Sequence, residues 1–427
     1  MDTNATNTTG TPADPLQTTA RHSKRWLWLL MGAVAILLLA AGGWWAYQAS
    51  QPHRQALGSA QSAPSGTGTN PNAPAADVLT VSHTSSNDGK GAWLRLDQAW
   101  KVPLNQNAMV NYLQTSDGQR AFVTASAFGG NDVSALRAYD GTSGKKLWEV
   151  PFGGGVHGAP LAGNGLVIQA AAGGDFVAME ATTGHERWRF HADKPFIDNL
   201  EVPGTFLGDV FYYADGSAVN GVDIHTGKQL YHSVSKYLSL ENPRTAGDHL
   251  VVLSDFGTMF GLSKDLKPLW GYTFPQDSAP HDVTVLGAIA LVHRIQNSDN
   301  QSVWWAFDVN TGKQLWTTTT ERANQPLLVD GVIAVMGYAT SHHSVIGLDH
   351  TTGKQLWVQQ AKDGFEREKI TVADGTLLSV GHHLQILDPK TGKVTFDRAF
   401  TFGSSTAPVA AGGHIVATFS DAVYGLQ

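Results

Sequence analysis

The chain has 427 residues, of which 46 are Gly, 13 are Trp and none is Cys; 15% are charged and the formal net charge is −7. The lack of Cys excludes disulfides, thiolate metal sites, cysteine nucleophiles and a lipid-modified N-terminal Cys. The modest negative charge argues against a nucleic-acid partner, whose usual footprint is a basic face.

Residues 1–25 form a Thr/Asn/Pro-rich tail, expected to be disordered and cytoplasmic. It ends with Arg21, Lys24 and Arg25. Residues 26–47 then carry no charge. As a helix they span roughly 33 Å, enough for the hydrocarbon core of a bilayer. Trp26 and Trp28 stand at one end and Trp44, Trp45 and Tyr47 at the other, as interfacial aromatics do. Basic residues precede the segment and only Arg54 follows closely, so the positive-inside rule keeps the N-terminus in and exports the rest. The expectation is a single-pass transmembrane helix in the cytoplasmic (inner) membrane, with the following domain extracytoplasmic. A cleaved signal peptide is the rival reading. Its apolar core is normally shorter, and Trp44 and Trp45 occupy the place of small cleavage-site residues. The sequons at Asn4 and Asn7 would then face the cytoplasm. Residues 48–91 are an Ala/Ser/Pro/Gly linker with too little apolar surface to offset its ordering entropy. As a coil its reach is roughly 35 Å.

Residues 92–427 repeat one phrase. "FDVNTGKQLW" (307–316) returns as "LDHTTGKQLW" (348–357). Aligned copies give Asp140–Gly144–Trp148, Glu180–Gly184–Trp188, Asp223–Gly227–Tyr231, Asp308–Gly312–Trp316, Asp349–Gly353–Trp357 and Asp388–Gly392–Phe396. A seventh copy, ending at Trp270, is one residue short and lacks the Gly. The acidic residue and the Gly read as a turn, because Asp bonds its own backbone and Gly supplies a positive φ. The residues before it read as a strand. Those after it start the return strand, where alternation places Leu on one face and Gln and Trp on the other. Two more strand candidates precede each hairpin, as in Pro326–Tyr338. Four strands at a period of about forty residues describe propeller blades. After Phe396 come three strands without a fourth, and before the first unit Leu96–Leu104 is an orphan strand anchored by Trp100. The two fragments complete each other. The fold expected is all-β, an eight-bladed β-propeller whose last blade is closed by the N-terminal strand, with seven blades as the alternative.

The Asp-x-x-Thr-Gly-Lys-x-x-Trp phrase resembles the tryptophan-docking pattern of the quinoprotein-type (PQQ-like) β-propeller repeat family. The resemblance covers about three quarters of the chain. It implies that the aromatic anchors Trp100, Trp148, Trp188, Tyr231, Trp270, Trp316, Trp357 and Phe396 dock between blades. One branch of that family binds PQQ and Ca²⁺ as dehydrogenases; another, BamB-like, is non-enzymatic. The vicinal Cys pair of the dehydrogenases is missing here, and plain blades use nearly all of 92–427. The chain is similar to the second branch, although without Cys it cannot be a lipoprotein.

No catalytic, cofactor-binding or metal residue is singled out. His342-His343 and His382-His383 read as turn residues, with a metal or pH-sensing site as the sharper reading. His157, His185, His281 and His350 read as turn or rim residues. Asp308-x-Asn310-x-Gly312 resembles the start of a Ca²⁺ loop but lacks the downstream Glu, so it reads as turn chemistry. The glycines at 153–155 and Gly173-Gly174 open no helix and cradle no phosphate. "FEREK" (365–369) reads as a solvated loop. Tyr212, Tyr213, Trp304, Trp305 and Phe402 have no docking role by the pattern, so some are expected at the channel or an exposed rim. The functional expectation is a membrane-anchored, extracytoplasmic scaffold for envelope or membrane proteins. A PQQ-dependent dehydrogenase or a ligand- or glycan-binding sensor using the channel is the alternative.

Overall fold

The computed structural model describes residues 97–427, apart from connecting segments at 105–109, 128–133, 154, 193–203, 236–239, 255–256, 276–278, 281, 297–299, 339–342, 362–368, 374, 382, 400–405 and 420. The tail 1–25, the helix 26–47 and the linker 48–91 lie outside the described residues. Among the described residues no helix is long and apolar enough to cross a membrane.

The described strands form eight four-stranded antiparallel sheets. Seven are built from strands consecutive in sequence. Numbered from the N-terminus, their outer strands are Lys146–Phe152 (blade 1), Glu186–His191 (blade 2), Gln229–Val234 (blade 3), Pro268–Thr273 (blade 4), Gln314–Glu321 (blade 5), Gln355–Gln360 (blade 6) and Val394–Ala399 (blade 7). Blade 8 takes Val409–Ala411, His414–Thr418 and Ala422–Leu426 from the C-terminus and Gln98–Pro103 from the N-terminus. Val102 pairs with Val423 and Pro103 with Ala422. The orphan strand therefore closes an eighth blade, and the seven-blade alternative falls.

The core lies between blades. Eight apolar clusters each draw on two neighbouring sheets; one joins Phe122 and Trp148 of blade 1 to Val167 and Met179 of blade 2. Both faces of a blade are thus covered. That is why second strands such as Leu166–Ala171 and His249–Ser254 are buried at every position and show no alternation.

Outer strands depart from the expected alternation at one repeated place. In blade 5, Phe307 pairs with Gln314 and Ala306 with Trp316, so Leu315 is the extra residue of a β-bulge. The same shift precedes the anchor in every blade. Gln314 and Leu315 are both exposed and Trp316 is buried. The reading that set Gln and Trp against Leu is corrected: a bulge adds one residue to one strand and breaks the period of two.

Candidate functional site

The repeated phrase builds a peg and a socket. Each regular turn is closed by its Gly N–H donating to the carbonyl of its acidic residue, as Gly353 does to Asp349 at 2.8 Å. The carboxylates face inward to the turn. Asp308 Oδ1 accepts the N–H groups of Asn310 and Thr311 and the Thr311 hydroxyl. Asp140, Asp223 and Asp349 are held below the usual carboxylate range, chiefly by the hydroxyls of Ser143, Thr226 and Thr352. These acids serve the turn, and the Ca²⁺-loop likeness of Asp308 reduces to that chemistry.

The turn then receives the preceding blade. The indole N–H of Trp100 donates to the Gly141 carbonyl, Trp148 to Ala181, Trp188 to Ile224, Trp270 to Val309, Trp316 to His350 and Trp357 to Pro389, at 2.6–3.1 Å. The acceptor in each case is the residue after the acidic one. The ring lies against the turn glycine. A Cβ on Gly144, Gly184, Gly227, Gly312, Gly353 or Gly392 would fall 2.4–2.7 Å from the docked Trp. All six have φ between +65° and +72°.

Two anchors are not Trp, and both precede a missing socket. Blade 4 carries the short phrase, and the Tyr231 that faces it makes no such bond. Tyr212 of the same blade lies parallel to Tyr231 at 6.4 Å, and its hydroxyl donates to the Lys264 carbonyl at 2.5 Å. Burial pushes the Tyr212 phenol well above its ordinary value. Blade 8 has no hairpin between its third and outer strands; Asp97 and Gln427 exchange backbone hydrogen bonds where that turn would stand. There the anchor is Phe396, which has no N–H to donate and packs on the apolar cluster of blades 7 and 8.

The unassigned aromatics are mostly core, which corrects their placement at a channel or rim. Tyr212, Tyr213 and Trp304 are buried, and Trp304 donates to the Thr320 hydroxyl at 2.9 Å. Trp305 packs against Phe274 between blades 4 and 5. Phe402 lies outside the described residues, as do His281, His342, His382 and most of 365–369. His343 contacts Tyr338 edge-on and the His383 Nδ1–H donates to Asp397 Oδ1. The His350 carbonyl is part of a socket. Among the described residues no three His, Asp or Glu side chains converge to hold a metal.

The sequence pattern did not single out the perimeter. Seven large hydrophobic side chains are exposed among the described residues, and six lie on the outer strands of blades 3–6: Leu230, Val234, Leu269, Leu315, Leu356 and Val358. The four leucines are 46–54% exposed. These strands read QLYHSV, PLWGYT, QLWTTTTE and QLWVQQ, with one formal charge at the last residue of the third. The other half of the perimeter is charged. Blade 1 carries the Arg137–Glu149 and Lys146–Glu149 pairs, and blade 2 joins Arg189 to Asp175 and Glu186. Blade 7 shows Asp397 and Arg398, and blade 8 has Lys101 bonded to Asp421. The leucines are the bulge residues, so the sequence signal was present in the Leu before each anchor, but its exposure depends on the bulge.

Comparison with known proteins agrees with this architecture. A family model described as outer membrane protein assembly factor BamB matches residues 77–239, 218–340 and 341–426. The curated protein of that name from Burkholderia pseudomallei is 29% identical over 194 residues, covering 41% of this chain and 48% of its own. Tetrathionate hydrolase from Acidithiobacillus ferrooxidans is 24% identical over 317 residues, 70% of this chain and 56% of its own. The chain thus spans about half the length of the curated relatives it matches. The crystal structure of BamB from Moraxella catarrhalis superposes with a TM-score of 0.56 at 16% identity, covering 78% of this chain and 100% of that one. The chain belongs to the PQQ-like repeat propeller family described by outer membrane protein assembly factor BamB.

Proposed function

We propose that the chain is a non-enzymatic scaffold that holds protein partners of the cell envelope on a rigid propeller. The observation that carries this reading is the leucine-bearing half of the perimeter, whose four outer strands hold one formal charge, Glu321, because exposed apolar surface on a rigid frame marks partner binding. The family relation supports it. The turn acids and anchors are consumed by the architecture and are free for no chemistry. Residues 26–47 are proposed to cross the cytoplasmic membrane, and the 48–91 linker to leave the propeller mobile on its outer side, raising its effective concentration for membrane partners. The scaffold is proposed to work without PQQ or Ca²⁺. Crosslinking in intact membranes, followed by identification of the captured proteins, tests it; reproducible capture of specific envelope proteins is expected, and none captured would sink it.

The alignment with tetrathionate hydrolase over most of the chain favours an enzyme as the second reading. Titration with PQQ and Ca²⁺, and separately with tetrathionate, would decide. Saturable binding coupled to dye-linked oxidation or to tetrathionate consumption would overturn the scaffold.

A further inference from the structure

We infer that Asn164 is a site of spontaneous covalent modification, losing its side-chain nitrogen as ammonia after attack by the backbone nitrogen of Gly165, and that this change loosens blade 2 from both of its neighbours. The chemistry is independent of whether the propeller serves as a scaffold.

The chain writes Asn-Gly twice, at Asn164-Gly165 and at Asn220-Gly221. The fold gives the two pairs opposite settings. Asn164 and Gly165 make up the turn between the first two strands of blade 2, beyond the last ladder pair, Gly163 with Leu166. Their φ values are +51° and +75°, the left-handed pair that tight two-residue hairpins favour. Both residues are exposed, and a Cβ on Gly165 would meet nothing within 4 Å. Water reaches the side-chain amide, and no side chain crowds the nitrogen that follows it. Asn220, by contrast, is 2% exposed. Gly221 lies inside its sheet, paired with Tyr212 on one side and Tyr231 on the other. The Asn220 Oδ1 accepts from Gln229 Nε2 at 2.9 Å. There the ladder holds the backbone and the site is shut to water.

The reaction balances without oxidant or reductant. The Gly165 nitrogen gives up its proton and bonds to Cγ of Asn164. The Cγ–Nδ2 bond breaks, and Nδ2 leaves as ammonia. A five-membered succinimide remains. Water opens either of its two carbonyls, which yields an aspartyl or an isoaspartyl residue. One water is consumed for each ammonia released.

The place of this turn gives the change its effect. Asn164 Nδ2 donates to the Gly208 carbonyl of blade 3 at 3.1 Å. A carboxylate has no N–H for that carbonyl, and it brings a negative charge toward the neighbour of Asp209. On the other side, the Gly165 carbonyl accepts the Ala181 N–H at 2.9 Å. The Ala181 carbonyl is the socket of Trp148 from blade 1. The same brace supports other sockets: Gln119 accepts from Gly141, Asp209 from Ile224, Ala288 from Val309 and Gly331 from His350. An isoaspartyl link runs the main chain through Cγ and lengthens it by one carbon. In a two-residue turn, which fixes the register of its strands, that extra carbon displaces the Gly165 carbonyl from Ala181.

The test ages the full chain in detergent at mildly alkaline pH and maps peptides after digestion in acid. A synthetic LAGNGLV peptide is aged beside it as the unstructured reference. Conversion of Asn164 is expected at least tenfold faster than that of Asn220, with isoaspartyl product and matching ammonia release. N164Q, checked for folding by thermal unfolding, should release no ammonia from this turn. In aged protein, backbone hydrogen exchange at Ala181 should speed up at least threefold, while aged N164Q keeps the exchange it starts with. An Asn164 that stays intact while the free peptide converts overturns the inference. Equal conversion of Asn164 and Asn220 overturns it as well, since placement in the fold would then decide nothing. Full conversion with unchanged exchange at Ala181 overturns the loosening.

Discussion

Gly353 and Gly375 share a φ of +71° but not a neighbourhood. A Cβ on Gly353 would meet Trp316 at 2.4 Å, whereas one on Gly375 would meet nothing within 4 Å. Gly375→Ala should therefore cost only the left-handed backbone term, about 1–2 kcal/mol. Gly353→Ala adds forced repacking of an indole, for a total of roughly 2–5 kcal/mol. Chemical denaturation of the pair measures the difference; equal losses would mean that the glycine is there for its torsion alone. The turn acids give a second prediction at this scale. Asp140, Asp223 and Asp349 have folded pKa values lowered by the turn donors. Their contribution is present above the unfolded value of about 3.9 and is lost as pH falls through the lowered folded value. Stability should hold steady from neutral pH to about 5 and fall below about 4. Asp349→Asn keeps an acceptor oxygen and removes the titration, so its acid limb should be shallower in unfolding measured against pH.

At the scale of the element, the identity of each anchor follows the next blade rather than its own phrase. The short phrase of blade 4 still ends in Trp270, because blade 5 offers a regular socket. The regular phrase of blade 3 ends in Tyr231, because blade 4 offers none. Tyr212 takes over the missing bond from a different strand. Tyr212→Phe should cost about 1–3 kcal/mol, since it strands a carbonyl that loses its donor, while Tyr231→Phe should be nearly neutral. Trp316→Ala should cost roughly 3–5 kcal/mol. Trp357→Ala should cost less, because that indole is only half-buried. If Tyr231→Phe proves the costlier of the two tyrosine changes, the assignment of the bond to Tyr212 is wrong. The sockets were legible in the sequence because a tight turn before a docked ring admits few residues: an acid, a Gly, a Trp at fixed spacing. Tyr212 was not legible. Its role exists only because a turn fifty residues on is one residue short, and no local pattern carries that relation. The exposed leucines were hidden for a related reason, since QLW reads as ordinary alternation until a bulge breaks it.

For the whole molecule, the decisive fact is that a strand from one end of the domain completes the blade begun at the other. The count of anchors made this readable, because a three-stranded remainder and a lone anchored strand have one economical solution. The perimeter was less readable: charge along any single strand is unremarkable, and the contrast emerges only when eight outer strands are laid around one ring. Closure is held by Trp100 in its socket and by Lys101, which reaches the Asp421 carboxylate at 2.9 Å while the Tyr424 hydroxyl donates to the same oxygen. These bonds hold Lys101 charged, with its pKa raised by Tyr424 and Asp421. A covalent test is clean in a chain without Cys. Val102 and Val423 are paired across the closure. The double variant V102C/V423C should form one disulfide under mild oxidation, because directly paired strand residues bring Cβ atoms to about 4.5–5.5 Å and small backbone shifts complete the bond. The loop it closes is nearly the whole domain, so the chain-entropy gain is roughly 5 kcal/mol as an upper figure. The oxidised variant should melt several degrees above its reduced form, and reductant should restore the lower melting point. V102C alone should remain monomeric and insensitive to reductant. A double variant that stays reduced, or crosslinks only between molecules, would mean that the first strand does not lie beside the last and that the ring is closed in some other way.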